Sequence, residues 1–324
     1  MLKSDFPERY PAQRSKKSIS IVGADGFLGS ALAVTLGAKR IVYGPSSGDD
    51  VHISQAKEAV QQAEIVINAA GFRVRPGCTY ADYQRSHQGA TEGIVPWIRP
   101  GALLLHISSA SIMGKSKTRR LGVGMKPNPE TFPSPPYAKA KYEADLFVEQ
   151  AAARGGFKAI YLMPAVVYAP QGAGMVETMI QLAKQGKSLR LYPRSARHHL
   201  CHARLLVEVF RRVIEQNDSL PHLSRFIVAD PYTVTNRELE DMVARYAGRK
   251  LSAFPVPAGL LSAILKRTFH SRIPKLDLKT WGEIFGVLDY DTEYDPSDTY
   301  RTLGIDPAEY SIERTLEPII REAF

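Results

Sequence analysis

A buried strand that runs straight into spaced glycines and then into a helix leaves few folds open to this chain. Residues 18–22 read Ser-Ile-Ser-Ile-Val and residues 23–29 read Gly-Ala-Asp-Gly-Phe-Leu-Gly. Apolar residues then recur at helical spacing from Phe27 to Leu36. A short apolar run followed at once by a helix opens a βαβ unit and argues for a parallel sheet covered on both faces. The pattern repeats. Buried strands are predicted at 18–22, 40–43, 64–68, 103–108, 158–163 and 225–228, with helical stretches between them. The stretch between the second strand and Gln55 is short, so one strand of the usual set is expected to be missing or trimmed.

These elements predict an α/β fold: a Rossmann-type doubly wound parallel sheet with a smaller, interleaved C-terminal substrate-binding region. The glycines are spaced G-x-x-G-x-x-G. Gly23 permits the sharp turn, Gly26 lets backbone approach a pyrophosphate, and Gly29 lets the helix pack closely. The free N–H groups and partial positive charge of the helix start suit phosphates. An acidic residue at the end of the second strand would select NAD by binding a ribose hydroxyl. Here that strand runs into Gly44-Pro-Ser-Ser-Gly48, with no carboxylate. A 2′-phosphate would be tolerated, with Ser46, Ser47 or Arg40 to contact it, so NADP is expected ahead of NAD. Asp49 and Asp50 follow in the next turn, near the adenine.

Further along, Pro135-Pro-Tyr-Ala-Lys-Ala-Lys places Tyr137 and Lys141 one helical turn apart, on one face. Pro135 and Pro136 suit a helix start. A free tyrosine titrates near about 10, too high for a base at neutrality. A neighbouring ammonium is expected to favour the phenolate and bring that value down. Ser109 ends the apolar run that begins at Ala102, and its hydroxyl could hydrogen-bond a substrate oxygen as charge develops there. Together these residue types describe hydride and proton transfer between a nicotinamide and a carbinol or carbonyl carbon.

In these motifs the chain resembles the extended short-chain dehydrogenases/reductases, the NAD-dependent epimerase/dehydratase family, from about Ser18 to the C-terminus. Asn68-Ala-Ala-Gly71 is similar to the family's turn over the cofactor. Pro164-Ala-Val-Val-Tyr-Ala-Pro170 is similar to its Pro-x-x-Val-Tyr-Gly-Pro segment beside the nicotinamide, and Tyr232–Leu239 to a strand and helix of its substrate region. The resemblance implies Ser109, Tyr137 and Lys141 as catalytic residues, Lys141 also holding the cofactor ribose. It implies a cofactor site lined by Gly23, Gly26, Phe27, Leu28, Ala69, Ala70, Gly71 and Pro164; Gly29 of the glycine turn, Gly44, Ser46, Ser47 and Asp50 after the second strand, Tyr137, Lys141 and Val167 complete the expected cofactor-binding set. It also implies a homodimer, formed through the helices around 83–98 and 137–153.

Departures from the pattern shape the expected substrate. Sugar-nucleotide members commonly carry an Arg and an Asn where this chain has Met163 and Val166, and a Gly where it has Ala169. An acidic pair expected after the strand histidine appears as Arg204 and Leu205, following His202. The expected reaction is therefore NAD(P)-dependent interconversion of a secondary alcohol and a ketone on an apolar small molecule. The alternatives are a nucleotide-sugar epimerase or dehydratase, or a dinucleotide-sensing module without catalysis. An Asn that many members show near Ser86 is absent, which reads as structural.

The 324 residues carry a formal net charge of +9. Eight of those charges sit in two segments, a basic N-terminal tail at 1–17 and a loop at 115–126, so nucleic acid is not expected as a partner. The expected division is a flexible tail at 1–17, a dinucleotide-binding domain at 18–170, and a substrate region at 171–324 with a strand returning near 225–229. The loop includes Lys117, Arg119 and Arg120 and should border the pocket. No apolar run reaches the roughly 20 residues of a membrane span, and Cys78 and Cys201 give no disulfide framework, so a cytoplasmic protein is expected. His198-His-Leu-Cys-His202 alternates across a strand and cannot converge on one ion, so no metal is expected. An apolar helix at 258–269 is expected to cover a hydrophobic pocket.

Overall fold

A computed structural model describes residues 17–41, 43, 50–74, 78–115, 120–170, 172, 174–192, 196–257 and 291–324. Six parallel strands form the central sheet. They are β1 (Ile19–Val22), β2 (Lys39–Ile41), β3 (Ile65–Asn68), β4 (Leu103–Ile107), β5 (Lys158–Pro164) and, much later in the chain, β10 (Leu223–Val228), in the spatial order β2-β1-β3-β4-β5-β10. The sheet is the parallel one expected. Its strands start or end one to two residues from the predicted bounds. Among the described residues β2 is the edge strand, next to β1, and helix α2 (Asp50–Gln62) leads directly to β3 on the other side of β1.

The apolar runs of β1, β3, β4 and β5 are continuous because these strands are buried on both faces, whereas β2, expected to be buried, exposes Lys39 and Arg40 at the edge of the sheet. Ile65, Ile67, Leu103, Leu105, Ile160 and Leu162 point to one face, where they meet helix α1 (Phe27–Leu36) and a later helix, Ala203–Glu215. Val66, Leu104, Ala159, Tyr161 and Met163 point to the other, against α2 and a helix at Pro135–Gly155. Alternation along each strand thus builds two cores from one sequence pattern.

The reversal of strand order lies between β1 and β3. There the chain leaves the sheet in opposite directions and opens a crevice beyond the strand ends, where open α/β sheets bind ligands. The turns after β1, β3, β4 and β5 all border that edge. A smaller cluster of Tyr168, Val176, Ile180, Leu200, Leu239, Leu316 and Ile320 lies apart from the sheet. It is built on short strand pairs, β6 (Val166–Tyr168) with β9 (Leu200–His202) among them.

The histidine run is not one strand. β8 (Arg197–His198) and β9 are interrupted at His199, and His202 caps the following helix, its Nδ1 accepting from Arg204 N–H at 3.3 Å. The helix expected around 83–98 is present and starts at Tyr80, with a π-helical turn at Arg85–Gly89 set between α3 (Tyr80–Gln84) and α4 (Ala90–Ile94) and a closing 3-10 turn at Val95–Trp97. The expected cover helix at 258–269 lies outside the described residues, as do Lys117 and Arg119.

Candidate active site

The glycine turn is built as its spacing demands. Gly23 has φ +80°, and a Cβ there would sit 2.7 Å from the Ala69 carbonyl carbon. The turns after β1 and β3 therefore touch through backbone. A Cβ on Gly29 would come within 2.2 Å of the Gly23 carbonyl oxygen, so what Gly29 makes room for is the turn itself rather than the sheet. Gly26 is exposed at the start of α1, Phe27 is exposed and Leu28 half-buried, leaving the helix end open.

Of the other candidate cofactor residues, Ala69, Ala70 and Gly71 follow β3, Pro164 ends β5, and Val167 lies in β6. All but Val167 come from strand ends at the same edge of the sheet. Gly44, Ser46 and Ser47 lie outside the described residues, and Asp50 is described only as the first residue of α2. Arg40, on the edge strand, folds back over the glycine turn. Its guanidinium donates to the Ala24 carbonyl at 2.9 Å and pairs with Asp25 at 3.3 Å.

Ser109 follows β4 and caps a short 3-10 turn, Ala110–Met113. Its Oγ accepts from the backbone N–H of Ser111 at 3.2 Å and from the Ser111 hydroxyl at 2.9 Å. Ser109 also interacts with the Tyr137 phenol and favours its ionised form. Tyr137 and Lys141 lie in α5 (Pro135–Gly155), which starts on Pro135 as expected and ends at Gly156 in the left-handed conformation. Ala138, Ala140, Ala144 and Ala152 on its buried side let the helix approach the sheet closely, and Lys141 is carried in with them, 5% exposed. Its Nζ donates to the Ile107 carbonyl at 2.9 Å.

The electrostatics correct one expectation. Tyr137 is not made acidic. Burial pushes its phenol up to about 12, the Ser109 hydrogen bond pulls the other way, and the Asp145 charge pushes further up. Lys141 is not among these influences; its Nζ is turned to the Ile107 carbonyl. Burial pushes it down to about 8 against the pull of Asp145.

Sequence reasoning passed over several residues that the fold brings to this place. His87, on the π-helical turn, is 2% exposed and packs edge-to-face on Tyr137, with ring centroids 5.3 Å apart. It stacks on Tyr83, and a Cβ on Gly71 would fall 1.9 Å from its Nδ1. Neither ring nitrogen makes a well-formed hydrogen bond. Burial, and after it the Lys141 charge, hold the imidazole well below its ordinary value. Single-turn π-helical insertions cluster at functional sites, but nothing in Arg85–Gly89 signals one. Asp145, His106, Ser108 and Asn68 form a buried polar group behind Lys141. The four-residue spacing Tyr137, Lys141, Asp145 was the available sign of it.

Comparison with known proteins places this geometry in context. The solved structures it resembles include MoeE5 in complex with UDP-glucuronic acid and NAD (TM-score 0.70, 15% identity, covering 95% of this chain and 100% of that one). UDP-N-acetylglucosamine 4-epimerase from Bacillus cereus aligns with TM-score 0.69 and 15% identity, over 95% of this chain and 99% of that one. RMD from Pseudomonas aeruginosa, complexed with NADPH, aligns with the same score, identity and coverage. At such identities the likeness is one of fold. A curated relative, the hybrid PKS-NRPS synthetase mycA of Thermothelomyces thermophilus, is 29% identical over 133 residues; that match covers 37% of this chain and 3% of the relative's length. The family model described as "NAD dependent epimerase/dehydratase family" matches residues 19–229, well over half of the sequence, and the chain belongs to that family.

Proposed function

We propose that this protein is a nicotinamide-dinucleotide enzyme that oxidises or reduces a secondary carbinol carbon of a nucleotide-linked sugar, as an epimerase or dehydratase. The observation that carries the chemistry is the meeting of Ser109, just past a central parallel strand, with Tyr137 and Lys141, one helical turn apart on a helix that Lys141 ties to the Ile107 carbonyl of that strand. The substrate class rests on the neighbours of the fold, among them an epimerase for UDP-N-acetylglucosamine and a protein bound to UDP-glucuronic acid. This reverses the preference for an apolar substrate drawn from Met163 and Val166.

The chain fits a dinucleotide. The backbone contacts of Gly23 with Ala69 and of Gly29 with the Gly23 carbonyl draw the turn tight, and exposed Gly26 and Phe27 leave the start of α1 open, the cradle that phosphates need. Gly23, Gly26, Gly29, Ala69, Ala70, Gly71 and Pro164 would line it, and Arg40 would favour a 2′-phosphate. Bound there, the nicotinamide supplies or accepts the hydride and, when oxidised, adds a positive charge that favours the phenolate.

This chain's own residues handle the proton. With its phenol held up to about 12, Tyr137 is protonated at neutrality and can give that proton to an alkoxide. In oxidation it would act as the phenolate that an oxidised nicotinamide favours, taking the proton from the alcohol. Ser109 holds the substrate oxygen while charge develops there, and Lys141 orients the ribose from its anchor on Ile107.

The test is incubation with nucleotide sugars in the presence of NAD+ or NADP+, and with ketones in the presence of NADH or NADPH. An epimerase converts one sugar into its isomer with no net change in reduced-cofactor absorbance. Stoichiometric loss of absorbance with a ketone would instead support the second reading, an alcohol–ketone oxidoreductase. Val166, half-buried in β6, favours that reading, since it cannot make the polar contacts a sugar invites.

A further inference from the structure

Behind the Tyr137–Lys141 face lies a polar chain that the chemistry above leaves unused. Tyr137, Lys141 and Asp145 recur every four residues along α5 and so stack on one stripe of the helix. Asp145 is 2% exposed. The Ser108 hydroxyl donates to its Oδ2 at 2.6 Å, and His106 Nε2 lies 3.2 Å from its Oδ1, off the line of an ideal hydrogen bond.

The far side of the His106 ring fixes its proton. Asn68 Oδ1 accepts from Ala70 N–H at 3.1 Å, so the Asn68 amide nitrogen faces Thr91 Oγ1 at 3.0 Å and His106 Nδ1 at 3.1 Å. An amide NH2 can only donate. His106 Nδ1 is therefore the acceptor, and the ring proton sits on Nε2, toward Asp145. The turn over the cofactor site, residues 68–70, is thus joined through one imidazole to the carboxylate beneath Lys141.

A buried ammonium and a buried carboxylate are each costly alone and much less so together. We infer that Asp145 is a positioning residue of this site: its carboxylate, oriented by Ser108 and His106, keeps Lys141 an ammonium on the helix face it shares with Tyr137. The titratable groups facing the pair are His106 from β4, Tyr161 from β5, His87 from the π-helical turn and Tyr137 from α5 itself. Tyr161 donates to the Asp145 backbone carbonyl at 3.1 Å, and burial pushes its phenol up, so it brings no charge. Burial keeps His87 uncharged as well. Among these groups the anion is Asp145, and its pull on Lys141 opposes the effect of burial.

The inference rests on the dinucleotide reading only for its second readout. The first is the melting temperature of the cofactor-free protein from pH 6 to 10.5, taken as the difference between each chain and its Lys141→Met counterpart. Native Lys141 gives up its proton near 8 and an unfolded lysine near 10.5, so the difference should climb between those values. With Asp145→Asn the climb should begin about one pH unit lower or more. The second readout is the dissociation constant of NADPH over the same range, which should weaken with rising pH about one unit earlier in Asp145→Asn than in the native chain. An unmoved melting curve overturns the inference, whatever the dinucleotide does. A shifted curve with no affinity for NADPH or NADH leaves the inference standing and sinks the dinucleotide reading. If Asp145→Asn does not fold, Ser108→Ala carries the test, with a smaller shift in the same direction expected and an unmoved curve overturning it.

Discussion

Lys141 reaches 2.9 Å across from α5 to the Ile107 carbonyl, the last residue of β4, and so fastens the helix that carries Tyr137 to the strand that leads into Ser109. The two oxygen-bearing residues of the site are held in register by a third side chain rather than by their own hydrogen bond alone. That arrangement makes the site rigid across two elements, and each of its members can be tested separately.

Tyr137→Phe should bind dinucleotide as the native chain does, because the ring and its packing against His87 remain. Turnover should fall about 10²-fold or more, the usual contribution of a positioned acid/base group. Single-turnover kinetics beside fluorescence titration with NADPH would check it. A variant retaining more than about a tenth of the native rate would rule out proton transfer by that phenol.

Gly29→Ala should cost stability and dinucleotide affinity together. Its Cβ would lie 2.2 Å from the Gly23 carbonyl oxygen, a clash with backbone that no side-chain movement relieves. Losses of about 2–4 kcal/mol are the scale for overpacked, strained sites. Urea titration and NADPH binding measured on the same sample would show whether the two losses track each other.

Arg40→Ala should separate the two dinucleotides. The guanidinium sits over the glycine turn, fixed by the Ala24 carbonyl and half-exposed toward solvent. Removing it should weaken NADPH about tenfold or more, the scale of a charge-assisted pair with a phosphate, and leave NADH little changed. Equal losses for both would mean that Arg40 only supports the turn.

Asp230 gives a pH prediction away from the site. Burial raises its carboxyl to about 7, although His202 N–H donates to it at 2.9 Å and the Tyr168 hydroxyl at 2.9 Å. The native state thus holds a proton that the unfolded chain releases near about 4. Stability from this group is present below that value and is lost as pH rises toward 7. Asp230→Asn should therefore gain on the native protein by about 2–4 kcal/mol above pH 7, and the gain should vanish near pH 4. Chemical denaturation at pH 4.5, 6 and 8 would read this directly.

Much of the fold could be read from the chain because parallel strands buried on both faces leave continuous apolar runs, and because a glycine needed at positive φ, as at Gly23, leaves its mark wherever it stands. Tyr137, Lys141 and Ser109 were legible for the same reason: helical spacing and a strand end are local properties. The tertiary structure alone decided the charge state of the phenol. Burial is a property of the assembled site, and so is the turn of Lys141 to the Ile107 carbonyl, which leaves the phenol without that lysine's help. It also decided the partners of Asp145. Asn68, His106 and Ser108 come from two different strands, and only the parallel pairing of β3 with β4, Asn68 opposite His106, brings them to one helix face. Periodicity fixes which residues share a face of one element; which faces meet is settled by packing.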